Sequence, residues 1–499
     1  MTTTIIATVL ISYFLILVLI SFLTSRKMSS LSFFNGDKQS PWYLVAFGMI
    51  GASLSGVTFI SVPGKVYSES MAYFQIVLGY VIGYIVIAKI LMPLYYKMNL
   101  VSIYQFLKDR FGNTSYKTGA AYFILSRTLG SAIRLYLATF VLQLFLFEDL
   151  GIPYWLTALI TVLLIWVYTF KGGIKTIVYT DTFQTFFLVS AVVICTFIIA
   201  NFLNVDLIGL YNKISSKVNI NQESMTKIFY WEDAKSPLFF PKQFLGGMFL
   251  AIAMTGLDQD LMQKNLTCKS LKEAQKNMFS FTAVLVFVNF LFLLLGGALY
   301  VFSEQKGIAL PQINGKIVTD HVFPTLALNH FGTIAGVFFL LGITASSYAS
   351  ADSALAALTT GFCVDFLDYE TKSEKFQKHS KFIVHIGFSL LFLIIILLTR
   401  SYIIYNPDSD IIGAILTIAG YTYGPLLGLF SFGILTKRKL NEIYVPFICI
   451  LSPIICYVIS INSTSILFGY RFSHELLILN GLLTFIGLYF ISKKEVPLV

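Results

Sequence analysis

The chain has 499 residues, of which 57% are hydrophobic and only 12% charged, and its mean hydropathy is +0.78. Soluble globules carry about 25% charged residues, so this composition excludes one and implies an all-α integral membrane protein, a single transmembrane domain over residues 1–499. The net charge of +10 does not indicate a nucleic-acid partner, because Lys and Arg fall between apolar blocks instead of forming one basic face.

A crossing helix needs roughly 20 apolar residues. Thirteen crossings are predicted, near residues 4–24, 43–62, 73–95, 118–147, 153–170, 179–203, 238–258, 277–302, 326–364, 382–399, 411–435, 443–462 and 475–492. None shows the short alternating segments of a membrane β-barrel. The first block, Thr4 to Leu23, is followed and not preceded by its basic residues, Arg26 and Lys27, so it reads as a retained helix and not a cleaved leader.

The second block contains Gly48-Met-Ile-Gly-Ala-Ser-Leu-Ser-Gly-Val-Thr58, ending at Pro63-Gly64. Lipid offers the backbone no hydrogen-bond partner, so an interrupted helix persists only beside a cavity or within protein. A break here would free the carbonyls of Gly51 and Leu54 for a cation and turn Ser53, Ser55 and Thr58 toward a ligand. Close packing of small residues against another helix is the competing reading.

In the fourth block, Arg134 lies at membrane depth and needs a partner, either an anionic solute or a structural carboxylate. Arg127 sits two turns earlier on a similar face, and Lys89 in the third block can snorkel. Asp181 opens the sixth block, where capping the helix and completing a cation site are both open. The ninth block is the most polar and reads as a second interrupted span: Gly342-Ile-Thr-Ala-Ser-Ser-Tyr-Ala-Ser-Ala-Asp-Ser353. Ser346 and Ser350 share one helix face there, and hydroxyl and carbonyl oxygens are the hard ligands that sodium takes. Asp352 is either functional or paired with a basic side chain.

With thirteen crossings and an external N-terminus, 22 of the 35 basic residues fall on the cytoplasmic side. They include Arg26, Lys27, Lys97, Lys108, Arg110, Lys264, Lys269, Lys272, Lys276, Lys437, Arg438 and Lys494. The expected placement is a multi-pass protein of the cell membrane, N-terminus outside and C-terminus cytoplasmic. The five cysteines form no CxxC pair and read as core residues, and the five histidines have no metal-ligand spacing. No nucleophile elbow or phosphate loop is present, so the chain is not read as an enzyme.

Four segments in order resemble the sodium:solute symporter family. They are Gly51-Ala-Ser-Leu-Ser-Gly56; Lys171-Gly-Gly-Ile-Lys-Thr-Ile-Val-Tyr-Thr-Asp-Thr-Phe-Gln184; Gly256-Leu-Asp-Gln-Asp-Leu-Met-Gln263; and Tyr423-Gly-Pro-Leu-Leu-Gly-Leu-Phe430. The resemblance spans roughly residues 30 to 440. It implies a LeuT-type core of two inverted five-helix repeats, near 43–203 and 238–435, with peripheral helices 4–24, 443–462 and 475–492. The first helix of each repeat would be broken. The common sodium site would fall on backbone oxygens of Gly51, Leu54 and Ile343 and hydroxyls of Ser346 and Ser347. A second sodium site would use Asp181 and Ser350. Aligning on Asp365 instead would put Ala349 and Ser350 in place of the serine pair. Solute contacts would fall on Ser53, Ser55, Thr58 and Arg134.

The expected activity is therefore sodium-coupled symport of a small polar solute by alternating access, leaning to a carboxylate such as a sialic acid or monocarboxylate. Na⁺ is the coupling ion, no organic cofactor is expected, and the partners are the solute, sodium and the bilayer, with no obligatory protein partner. Sugar, inositol or amino-acid symport is the neighbouring alternative, and a channel or sensor on the same scaffold is the alternative from another class.

Overall fold

The computed structural model describes residues 3–25, 36–313, 315–406 and 411–493, and these are almost wholly helical. Helix α1 covers Thr3–Ser25. The second predicted crossing is two helices, α2 at Trp42–Ser53 and α3 at Gly56–Glu69, bent by 61° at Leu54 and Ser55. Next come α4 at Tyr73–Val86, a π turn, α5 at Met92–Lys97, α6 at Gln105–Phe111 and α7 at Asn113–Leu142. Helix α8, Tyr154–Phe202, consists of two segments that meet at Gly173, whose φ of 52° is a conformation that glycine adopts without strain.

After α9 at Leu207–Ser215, the seventh crossing is again divided. Helix α10 at Phe240–Ala251 runs through a π turn to a break at Leu257 and Asp258, and α11 resumes at Gln259–Leu266. The carbonyls released by this break have partners. The Tyr95 hydroxyl donates to Gly256 O and the Tyr104 hydroxyl to Leu257 O, each at 2.9 Å. The Asp258 carboxylate accepts from the first amides of α11. Both breaks fall where the family resemblance puts the first helix of a repeat.

The remaining helices are α12 at Leu271–Lys306, α13 at Thr319–Asn329, α14 at Gly332–Leu367 and α15 at Glu374–Tyr405. They are followed by α16 at Ile411–Leu435, α17 at Val445–Ile461, α18 at Ser463–Ile466 and α19 at Leu476–Phe490. Two small antiparallel strand pairs complete the described residues, pairing Gln312 with Ile317 and Lys439 with Lys493. Helix α14 packs along α8 and α7, α2 packs on α8, and α16 lies between α19 and α7.

Among the described residues, eight helices are able by length and composition to cross a membrane, or nine with the bent α2–α3 pair, against the thirteen expected. The other four expected crossings are helical but differ in kind. Tyr154–Phe170 and Leu476–Phe490 are apolar and shorter. Helix α7 carries Arg127 and Arg134, and the α10–α11 pair is broken by a polar turn.

The expected interruption of the ninth crossing is absent, because α14 runs unbroken from Gly332 to Leu367. Its polarity is absorbed locally, as Ser346, Thr359 and Thr360 donate to their own helix at Ile343 O, Leu355 O and Ala356 O. Residues 326–329, expected in that crossing, belong to α13. Asp181 lies about two turns inside the second segment of α8, not at a helix start, so it is no cap. Lys264, expected among loop charges, is buried within α11. Arg26, Lys27 and Lys494 lie outside the described residues.

Candidate functional site

A cavity opens at the α2–α3 bend. Its wall includes Ser53, Ser55 and Thr58 from the bend and Arg134 from α7, so all four residues expected to touch the solute face one space. The bend brings this about: Leu54 and Ser55 leave helical geometry, and α3 restarts at Gly56 with its first turn against the cavity. Among the described residues Arg134 has neither an ion pair nor a hydrogen bond. The structural ion pair belongs to Arg127 instead, which also reaches the cavity.

Sequence reasoning missed several wall residues: Tyr73, Tyr80, Tyr84, Thr255 and Asn289. The tyrosines recur at spacings of seven and four along α4, which puts them on one helix face. Asn289 is an isolated amide in an otherwise apolar stretch of α12, with a buried, unpartnered Oδ1. A second cavity, lined by Lys65, Glu69, Gln243 and His474, shares Tyr73 and Leu416 with the first.

Behind the cavity wall, the expected sodium residues converge on the same bend. A Cβ placed on Gly56 would stand 2.0 Å from the Ser347 hydroxyl and 3.2 Å from Ile343, so α3 restarts in direct contact with α14. The Ser347 Oγ is buried with no partner, while Ser346 Oγ donates to Ile343 O at 3.0 Å. A Cβ on Gly51 would stand 2.4 Å from the Thr185 hydroxyl and 3.6 Å from Ala349. The bend also ends the α2 hydrogen-bond ladder, since Leu54 N bonds Ile50 O and the carbonyls that follow lack helical donors. Gly51, Leu54, Ile343, Ser346 and Ser347 thus share one neighbourhood of backbone and hydroxyl oxygens. Thr185, one turn beyond Asp181, joins it and was not anticipated.

Asp181 sits one turn along α2 from this neighbourhood, its Cβ 3.1 Å from where a Cβ on Gly48 would stand. Lys264 Nζ donates to its Oδ2 at 2.6 Å, while Asp181 Oδ1 and Ser350 Oγ are buried without partners. Lys264 is 4.0 Å from Asp260, which also accepts from Arg127 and Ser353. Arg127 lies 3.9 Å from Asp258, and Asp258 accepts the Tyr423 hydroxyl. This buried network ties α7, α8, α11, α14 and α16 together. Asp352 stands apart, accepting from the Tyr168 hydroxyl at 2.8 Å and the Ser353 amide, with no basic side chain within 4.0 Å among the described residues. All five cysteines are free and buried.

A sodium/sialic acid symporter, NanT of Aliivibrio fischeri, is 25% identical over 83% of this chain and 79% of its own length. Mouse sodium-coupled monocarboxylate transporter 2 is 23% identical over 82% of this chain and 64% of its own length. In three dimensions, a substrate-bound, outward-open Na⁺-coupled sialic acid symporter superposes with a TM-score of 0.80 at 20% identity, covering 98% of this chain and 99% of that one. The profile of the sodium:solute symporter family matches residues 33–442, and the chain belongs to that family.

Proposed function

We propose that the protein is a sodium-coupled symporter for a small carboxylate-bearing solute, working by alternating access across the cell membrane. Membership of a sodium:solute family supports the coupling ion and the transport activity. The carboxylate rests chiefly on one observation: Arg134 enters the central cavity without an ion pair among the described residues. A guanidinium at membrane depth requires an anion, and a carboxylate matches its fork with two parallel hydrogen bonds. The sialic acid and monocarboxylate specificities of the relatives favour the same chemistry.

The architecture reads as thirteen crossings, nine long and four short, polar or broken, with inverted repeats near 43–203 and 238–435. The N-terminus is external and the C-terminus cytoplasmic. In that orientation the Lys65–Glu69 cavity is an external vestibule joined to the central cavity at Tyr73 and Leu416. The charge network lies toward the cytoplasm and closes the floor.

The common sodium site consists of the backbone oxygens of Gly51, Leu54 and Ile343 with Ser346 and Ser347. The Gly56–Ser347 contact supports this register. Asp181 and Ser350, each with an unpartnered buried oxygen, are suited to a second cation. Sodium at the common site would hold α14 against the α2–α3 bend and so favour the outward-facing form, since an ion shifts only states that it binds differently. The proposal is tested by tracer uptake of carboxylate solutes into proteoliposomes. Uptake should require an inward sodium gradient, and equal uptake with potassium in place of sodium would overturn it.

A further inference from the structure

Arg127 belongs to two environments at once. It lines the central cavity seven residues below Arg134 on α7, about 10 Å along the helix on the same face. Its Nε is buried and has no hydrogen-bond partner. The other end of the guanidinium is pinned to Asp260, with Asp258 farther away at 3.9 Å. Asp260 in turn holds Ser353 of α14 and lies 4.0 Å from Lys264, which holds Asp181 of α8. Asp258 caps α11 and accepts from Tyr423 of α16. One side chain therefore connects the solute cavity to the ionic floor beneath it.

We propose that Arg127 is a second solute-binding arginine, and that its engagement by the solute's anionic group loosens this floor. The inference rests on the carboxylate reading above and extends it to how the solute triggers translocation. A guanidinium carries five donors, and the buried, vacant Nε belongs to a cavity-lining group whose Nη2 is committed to Asp260. A carboxylate held from above by Arg134 completes that vacancy with a charge-assisted bond. It then shares the positive charge on which Asp258 and Asp260 depend. Within the ion-paired floor, Arg127 and Lys264 face Asp181, Asp258 and Asp260, so positive charge is already in the minority. Drawing Arg127 upward leaves Asp258 and Asp260, at the start of α11, repelling each other with Lys264 as the remaining cation. Helix α11 then separates from α7 and α14, which opens the cavity toward the cytoplasm. A neutral analogue of the same shape occupies the cavity without disturbing Arg127 and inhibits without being carried.

Two full-length variants in proteoliposomes test this. Arg127→Lys keeps the charge but removes the Nε donor. Half-saturation for a carboxylate solute should rise about tenfold or more, the loss expected for one hydrogen bond to a charged group. Arg127→Gln removes the positive charge that Asp258 and Asp260 share, and the floor should open without solute. Leu261 lies on both α11 and the cavity wall, so Leu261→Cys reports the opening. With Arg127→Gln it should react with a membrane-impermeant maleimide from the cytoplasmic side in the absence of solute, and with native Arg127 it should not. Unchanged carboxylate half-saturation in Arg127→Lys, or equal labelling with and without Arg127→Gln, would overturn the inference. The labelling uses no solute, so its outcome is separate from failure of the carboxylate reading, which would appear as a wild-type protein indifferent to the solute's charge.

Discussion

The ammonium of Lys264 lies 2.6 Å from a carboxylate oxygen of Asp181, and both side chains are sealed from solvent. The two residues are 83 positions apart, and their pairing holds α11 to the second segment of α8. Taking two charges out of water is favourable only while they neutralise each other. Lys264→Met should therefore destabilise the protein by about 3–5 kcal/mol, the cost of an uncompensated buried charge. Lys264→Met combined with Asp181→Leu should recover much of the loss. Thermal unfolding in detergent checks this, and a single variant that melts with the wild type would contradict it.

The sodium neighbourhood makes a separate prediction. Replacing Ser346 and Ser347 together by Ala removes the two proposed hydroxyl ligands and leaves the helix ladder of α14 intact. The sodium concentration for half-maximal uptake should rise about tenfold or more. Unchanged sodium dependence would reject this pair of ligands.

Gly56 probes the same neighbourhood from the opposite side. A methyl group there would stand 2.0 Å from the Ser347 hydroxyl, so Gly56→Ala forces α3 and α14 apart. Sodium should then no longer raise the unfolding temperature, although the helical content measured by circular dichroism stays the same. A sodium-induced shift equal to that of the wild type would show that the contact is not part of the ion site.

The break in the seventh crossing depends on two tyrosines. Tyr104→Phe leaves Leu257 O buried without its donor, which should cost about 1–3 kcal/mol. Tyr95→Phe should act similarly at Gly256 O. Melting curves of the two variants, compared with the wild type, measure the effect. Curves indistinguishable from that of the wild type would show that the break is satisfied in another way.

These residues also show what was legible in the sequence. The α2–α3 bend was readable because glycines and serines fill the middle of an apolar block, and Arg134 was readable because no charge enters lipid without a partner. The polarity of α14 was misleading as a sign of interruption, since its hydroxyls bond back to their own helix. The Lys264–Asp181 and Arg127–Asp260 pairs were not legible, because each joins residues more than 80 positions apart and only the packed helices reveal which charges meet. Tyr95 and Tyr104 escaped notice for the same reason: tyrosines of the third crossing and its following loop satisfy carbonyls of the seventh.

The most direct measurement follows a labelled carboxylate solute and its neutral amide, each driven by an inward sodium gradient, in wild-type and Arg134→Ala proteoliposomes. The wild type should accumulate the carboxylate far better than the amide. Arg134→Ala should lose carboxylate uptake by about a hundredfold, the upper range for one charged hydrogen-bonding group, with amide uptake little changed. Equal loss of both solutes, or carboxylate uptake that survives without Arg134, would contradict the account.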